Sequence, residues 1–125
     1  MTNTFIDASV LMELMFKRQK FEAVVNSLTE PDKRFYATGL SVHLLYHFGQ
    51  KAGLSTEVIA KTAALAEILP LDGSTVKLAQ LRYTGKDFED CLQAACAEAG
   101  KCDEIITLDR NFKKHSGTKL KVTVL

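Results

Sequence analysis

The stretch Asn3-Thr-Phe-Ile-Asp7-Ala-Ser9-Val-Leu-Met-Glu-Leu-Met-Phe-Lys17 decides how the rest of the chain is read. Thr4 to Asp7 is a short run of strand-forming residues that ends on an acid. From Ser9 to Lys17 the apolar residues Val10, Leu11, Leu14 and Met15 recur at helical spacing. The stretch therefore reads as strand, tight turn and helix. In a sheet flanked by helices, ligands and chemistry collect where strands finish and helices begin, so an acid at this junction is a candidate functional group.

Working outward, the same alternation repeats. Phe21 to Leu28 has a helical pattern, and Glu30-Pro-Asp-Lys33 signals a turn into a strand over Arg34 to Thr38. Ser41 to Gln50 reads as a helix stopped by Lys51-Ala-Gly53, and a further helix runs from Ser55 to about Glu67. Ile68 to Asp72 makes a short strand whose Pro70 fits best at a sheet edge, because proline cannot donate to a ladder. Ser74 to Tyr83 is helical again. Asp87 stands where it caps a helix over Phe88 to Ala99 that Gly100 stops, and Glu104 to Leu108 and Leu120 to Leu125 are the last strands. Strands separated by helices predict an α/β fold with a mostly parallel sheet covered on both faces. No repeat or linker interrupts the pattern. A chain of 125 residues, 46% of them hydrophobic, suits a single domain over residues 1–125.

Composition narrows the functional classes. Sixteen basic and fifteen acidic residues leave a net charge of +1, so nucleic acid would have to be met by a local patch. From Lys101 onward such an excess exists, in Lys101, Arg110, Lys113, Lys114, Lys119 and Lys121 against Asp103, Glu104 and Asp109; a solvated surface explains it as well as a phosphate-facing one does. The start lacks the pattern of a secretory signal, and no run approaches the ~20 apolar residues of a membrane span. A cytoplasmic protein is expected. Cys91, Cys96 and Cys102 are odd in number and lack zinc-site spacing, which reads as free core thiols.

Two more acids join Asp7. The first and fourth strands end at Asp7 and just before Asp109, and the helix carrying Asp90 runs back antiparallel to the fourth strand, so its first turn lies at the same edge. Clustered carboxylates repel one another and call for a cation. Hard oxygen ligands favour Mg²⁺ or Mn²⁺ over zinc, and such an ion can polarise a phosphate and activate water, chemistry that fits phosphodiester hydrolysis. Each acid also has an ordinary explanation: Asp7 as a helix cap, Asp90 as a partner of a helix dipole, and Asp109 as a cap on the turn Arg110 to Lys113. Asp87 is expected as a cap, Glu89 as solvated and Asp103 as structural. Ser9 and Thr107 could orient a carboxylate or a metal-bound water, or cap the backbone.

The segments Phe5-Ile-Asp-Ala-Ser-Val-Leu11, Asp87-Phe-Glu-Asp-Cys-Leu-Gln-Ala-Ala95 and Ile106-Thr-Leu-Asp-Arg-Asn-Phe112 resemble the PIN domain, especially the small VapC-like ribonucleases of prokaryotic toxin-antitoxin systems. The resemblance extends over essentially the whole chain. It implies a three-layer fold with a parallel five-stranded sheet between helices, and Mg²⁺- or Mn²⁺-dependent endonucleolytic cleavage of RNA. Asp7, Asp90 and Asp109 would be the catalytic and metal-binding residues, and a cognate antitoxin the partner. Lys113 and Lys114 would steer the RNA backbone. PIN domains commonly carry a Glu in the helix after the second strand, and counting from Thr38 puts Leu44 at that position. His43 lies about 100° around the helix from Leu44, and His47 about one turn on, so either imidazole could be an accessory group. The alternative function is thus a PIN-like RNA- or protein-binding domain with weakened or lost catalysis.

Other folds with strand-end acids fit poorly. A haloacid-dehalogenase-like phosphotransferase would want a second Asp where Ser9 stands, and the acidic pair and late lysine of a response-regulator receiver are missing. The apolar residues Leu11, Met12, Leu14, Met15 and Phe16 cover more than one helix face, which predicts self-association, in the form of a two-fold dimer.

Overall fold

The computed structural model describes residues 1–125. Five short strands, β1 (Thr2–Ile6), β2 (Lys33–Thr38), β3 (Glu67–Leu69), β4 (Glu104–Thr107) and β5 (Lys121–Val124), form one sheet in the order β3-β2-β1-β4-β5. Every neighbouring pair is parallel, with Phe5 opposite Tyr36 and Ile6 opposite Ile106. The chain moves outward from β1 through β2 to β3, then crosses to the other side of β1 for β4 and β5. The reversal lies between β1 and β4, and it opens a crevice beyond their carboxyl ends.

Seven helices connect the strands: α1 (Ala8–Met15), α2 (Phe21–Leu28), α3 (Gly39–Lys51), α4 (Thr56–Ala63), α5 (Gly73–Arg82), α6 (Phe88–Ala99) and α7 (Phe112–Ser116). Because side chains alternate along a strand, neighbouring residues of β1 and β4 serve opposite layers. Ile6 and Ile106 join Val10, Leu11, Val24, Leu45 and Ile59 from α1 to α4, whereas Phe5 and Ile105 join Ala94, Ala97 and Phe112 from α6 and α7. A third small cluster of Ala79, Cys91 and Ala95 locks α5 to α6. The arrangement is a three-layer α/β sandwich. Burying a side chain the size of Ile or Phe is worth about 1.5–3 kcal/mol, so these two layers supply most of the driving force. No helix is long and apolar enough to cross a membrane.

Most element boundaries follow from local chemistry. Thr38, Ser55, Asp72 and Asp87 each accept a hydrogen bond from a backbone N–H three residues on, capping α3, α4, α5 and α6. β3 is an edge strand, and Pro70 follows it directly. All three cysteines are free and buried.

Three expectations change. The helix opened by Ser55 ends at Ala63, and Glu67 belongs to β3. Gly100 closes α6 as expected, with an ordinary negative φ of −79°, while Lys101 takes the left-handed conformation. A Cβ at Gly100 would lie 2.5 Å from the Leu69 side chain, which would have to shift to admit it. The turn beyond Asp109 continues into α7, too short for periodicity to reveal. Finally, the apolar excess on α1 is used internally: Leu11 and Met15 are buried, and Met12, Leu14 and Phe16 pack against the same core. Those residues therefore give no independent reason for a dimer.

Candidate metal centre

The crevice at the carboxyl edge is a cleft of about 450 Å³. Asp7, Asp90 and Asp109, supplied by the β1–α1 junction, the first turn of α6 and the β4–α7 loop, all line it. Residues up to 102 positions apart in sequence thus meet because β1 and β4 are neighbours and α6 returns to their carboxyl ends.

Asp7 is only 4% exposed, and its side chain makes no cap to α1. Its Oδ2 instead accepts hydrogen bonds from Ser9 Oγ and Thr107 Oγ1, each at 2.7 Å. Those hydroxyls are themselves fixed, Ser9 Oγ by the Leu108 N–H at 3.1 Å and Thr107 Oγ1 by the Asp109 N–H at 3.0 Å. The two roles weighed for Ser9 and Thr107, orienting a carboxylate and bonding backbone, are combined. Burial pushes the Asp7 carboxyl above its ordinary range, and the two hydroxyls only partly offset it.

Asp90 is likewise 4% exposed. Burial, a hydrogen bond with Asp109 and the negative charge of Asp7 push its pKa up to about 9. Its Oδ2 is buried and has no hydrogen-bond partner. Unpartnered buried oxygens are uncommon and costly, and a cation satisfies one directly. Asp109 is half-buried and also receives the Asn111 N–H at 2.9 Å, so it does help shape the turn it precedes.

The side chains around this triad were only partly legible. Asp87 caps α6 as expected, yet it also lines the cleft, from a left-handed backbone conformation (φ 46°) that Asp tolerates better than most residues. Glu89, expected to be solvated, is half-buried in the cleft wall, and burial together with the charge of Asp7 raises its pKa. Arg18, from the α1–α2 connection, is the basic residue lining the cleft. His115 was not singled out at all. It sits on α7, and with Asp87, Asp90 and Asp109 it offers donor atoms that lie within 4.8 Å of one another. Its position depends on α7, which only the tertiary structure reveals.

On the opposite wall stand Leu44 and Phe48 of α3. His43 and His47 are exposed, stacked on each other at 5.9 Å between ring centroids, and line no part of the cleft. Lys113 and Lys114 are exposed on α7 and line no part of the cleft. A buried network joins the two walls: Thr38 Oγ1 donates to Gln93 Oε1 at 3.2 Å, and Gln93 Nε2 donates to Ser41 Oγ at 3.1 Å. The start of α3 is thereby pinned to α6 one turn below Asp90.

Fold and site together define an α/β protein with an acid-lined cleft at the switch point of a parallel sheet. The model of the PIN domain matches residues 4–117, and the chain belongs to that family. Several solved structures share its fold. The Rickettsia felis VapBC2 structure bound to a promoter DNA fragment aligns over 99% of each chain with a TM-score of 0.69 at 13% identity. A Klebsiella pneumoniae toxin-antitoxin complex covers 97% of this chain and 96% of its own at TM-score 0.71 and 14% identity. Mycobacterium tuberculosis VapC20, a toxin that cleaves the sarcin-ricin loop, covers 94% and 98% at TM-score 0.71 and 11% identity. No curated protein sequence matches the chain.

Proposed function

We propose that the protein is a divalent-metal-dependent endoribonuclease that acts in the cytoplasm as the toxin of a toxin-antitoxin pair. The observation that carries this reading is the meeting of Asp7, Asp90 and Asp109 in one cleft around a buried carboxylate oxygen with no partner. Such donors suit Mg²⁺ or Mn²⁺, held by Asp7, Asp90 and Asp109. The bound ion supplies a polarised phosphate and an activated water. Ser9 and Thr107 hold Asp7 in one orientation, so its free carboxylate face needs no reorganisation to meet the ion. Arg18 within the cleft, with Lys113 and Lys114 exposed on α7, supplies positive charge for the RNA backbone.

The complexes among its structural relatives support a cognate antitoxin as partner. Self-association as a homodimer stays part of the proposal, although α1 no longer motivates it. Leu44 favours a second reading. With an alkyl group on the wall where the family commonly places a Glu, the cleft could bind RNA or protein with weakened or lost catalysis. His43 and His47 could serve there only after α3 side chains rearrange.

The two readings part in one experiment, incubation of the protein with single-stranded RNA and either Mg²⁺ or Mn²⁺. Wild type should cleave and Asp7→Asn should lose at least about a hundredfold of that activity. Absence of cleavage by wild type with both metals rejects the nuclease reading.

A further inference from the structure

His115 brings an imidazole to a centre otherwise made of carboxylates. Its Nδ1 lies 3.9 Å from Asp90 Oδ2, and both atoms are buried without a hydrogen-bond partner. A direct charged hydrogen bond between such groups would close to about 2.7–2.9 Å. Two donors that each approach one ion to about 2.1 Å can stand up to about 4.2 Å apart, so the observed gap fits a shared cation. The Asp90 side chain that points into this gap is 4% exposed, which leaves water little access to its oxygen.

The backbone that carries the imidazole is held at two points. Phe112, fully buried on α7, anchors that helix in the lower core layer, and Cys91 Sγ donates to the His115 carbonyl oxygen at 3.2 Å. Cys91 follows Asp90 in α6, so one turn of α6 positions both partners. Asp87 and Asp109 each bring a donor atom within 4.8 Å of the others, a spread that must draw in to about 4.2 Å or less for all four to share one ion. His43 and His47 lie outside the cleft.

We propose that His115 adds an imidazole ligand, with Asp87 alongside, to the cation read above as held by Asp7, Asp90 and Asp109, and that this mixed carboxylate-imidazole centre selects Mn²⁺ over Mg²⁺. The assignment rests on the reading of the cleft as a metal centre. Nitrogen donors strengthen binding of first-row transition ions, whereas Mg²⁺ gains little from them and prefers oxygen. A lost carboxylate at Leu44 weakens binding of both ions, and His115 restores it for Mn²⁺ alone.

Calorimetric titration of the full chain with MnCl₂ and with MgCl₂, together with pulsed electron paramagnetic resonance of the Mn²⁺-loaded protein, tests the assignment. Wild type should bind Mn²⁺ about tenfold or more tighter than Mg²⁺ and show the modulation of a directly bound imidazole nitrogen. His115→Ala should weaken Mn²⁺ binding about tenfold, change Mg²⁺ binding less than about threefold and abolish the nitrogen signal. His115→Asn, which keeps a polar side chain of similar reach on α7, should do the same and guards against misfolding of the alanine variant. A nitrogen signal that survives in both variants, or that disappears only when His43 and His47 are replaced, overturns the proposal. So does an equal loss for the two metals. Mn²⁺ binding by wild type without any imidazole signal rejects His115 and leaves the metal centre standing; no binding of either metal rejects the centre itself.

Discussion

The two walls of the cleft are built from opposite chemistry. The α6 wall carries Asp87, Glu89 and Asp90, with His115 of α7 behind them near Asp90, whereas the α3 wall presents Leu44 and Phe48. Both walls are fixed to each other through Thr38, Gln93 and Ser41, so neither can move away to dilute the contrast. The polar wall is therefore charged beyond what it can neutralise alone, and the apolar wall offers nothing to share the ion. If the cleft binds a cation as proposed, its ligands come from the strand ends and the α6 side and none from α3, so substitutions on the acidic side should act most strongly.

The largest expected effect follows from Asp90. Its folded pKa of about 9 lies far above the ordinary 3.8. Between those values the unfolded chain releases the proton while the folded one retains it, so the metal-free protein is most stable at the acid end and loses stability as pH rises from about 4 to about 9. Asp7 and Glu89, also raised, act in the same direction. Burial disfavours ionisation of Glu104 and Glu98 too, but hydrogen bonds from Lys33 and Arg82 hold them low on balance, so their contribution is lost only on acidification below about pH 4.5. Asp90→Asn should flatten the alkaline decline in urea melts, by up to about tenfold in the unfolding constant per pH unit, while reducing Mn²⁺ affinity at least about a hundredfold. A decline that persists unchanged in Asp90→Asn would show that another group carries it.

Leu44→Glu removes the asymmetry itself. A carboxylate on the α3 wall should raise Mg²⁺ affinity about tenfold, and Mn²⁺ affinity by a similar factor, in calorimetric titration. If neither changes, Leu44 does not face the ion and the comparison of the walls fails. The smallest effect concerns the rim. Replacing Lys113 and Lys114 together with Ala should weaken RNA binding severalfold and lower the salt dependence of the binding constant by about 1.4 in log-log slope, at about 0.7 per lost phosphate contact. Binding with an unchanged salt slope would remove both lysines from the RNA path.

Much of this was legible in the residues. The strand-turn-helix of Asn3 to Lys17, the capped helix after Asp87 and the apolar strand before Asp109 carry strong local signals, and they place three acids at one edge of a parallel sheet. Thr38 and Asp72 read in the sequence as strand ends, with the next helices beginning at Ser41 and Ser74, whereas in the structure both cap helices that start directly after them. Glu89 and Arg18 could not be assigned, because an exposed helix residue and a loop arginine look the same whether they face solvent or a cleft. His115 was hidden for another reason. A five-residue helix has too few turns to show periodicity, and its orientation depends on Phe112 burying against the far layer of the sheet.

The sequence by itself determined the order of strands and helices, their parallel arrangement and the three aspartates at the carboxyl edge, because periodicity, capping and crossover rules are local or topological. The tertiary structure alone decided which side chains face one another across the cleft: Ser9 and Thr107 on Asp7, an apolar Leu44 opposite the acids, and His115 beside an unpartnered Asp90 oxygen. Thr107 reaches Asp7 across 100 positions, Leu44 meets the acids from a separate helix, and His115 hangs on a helix too short to be read, so these pairings exist only once the two layers have packed on the sheet.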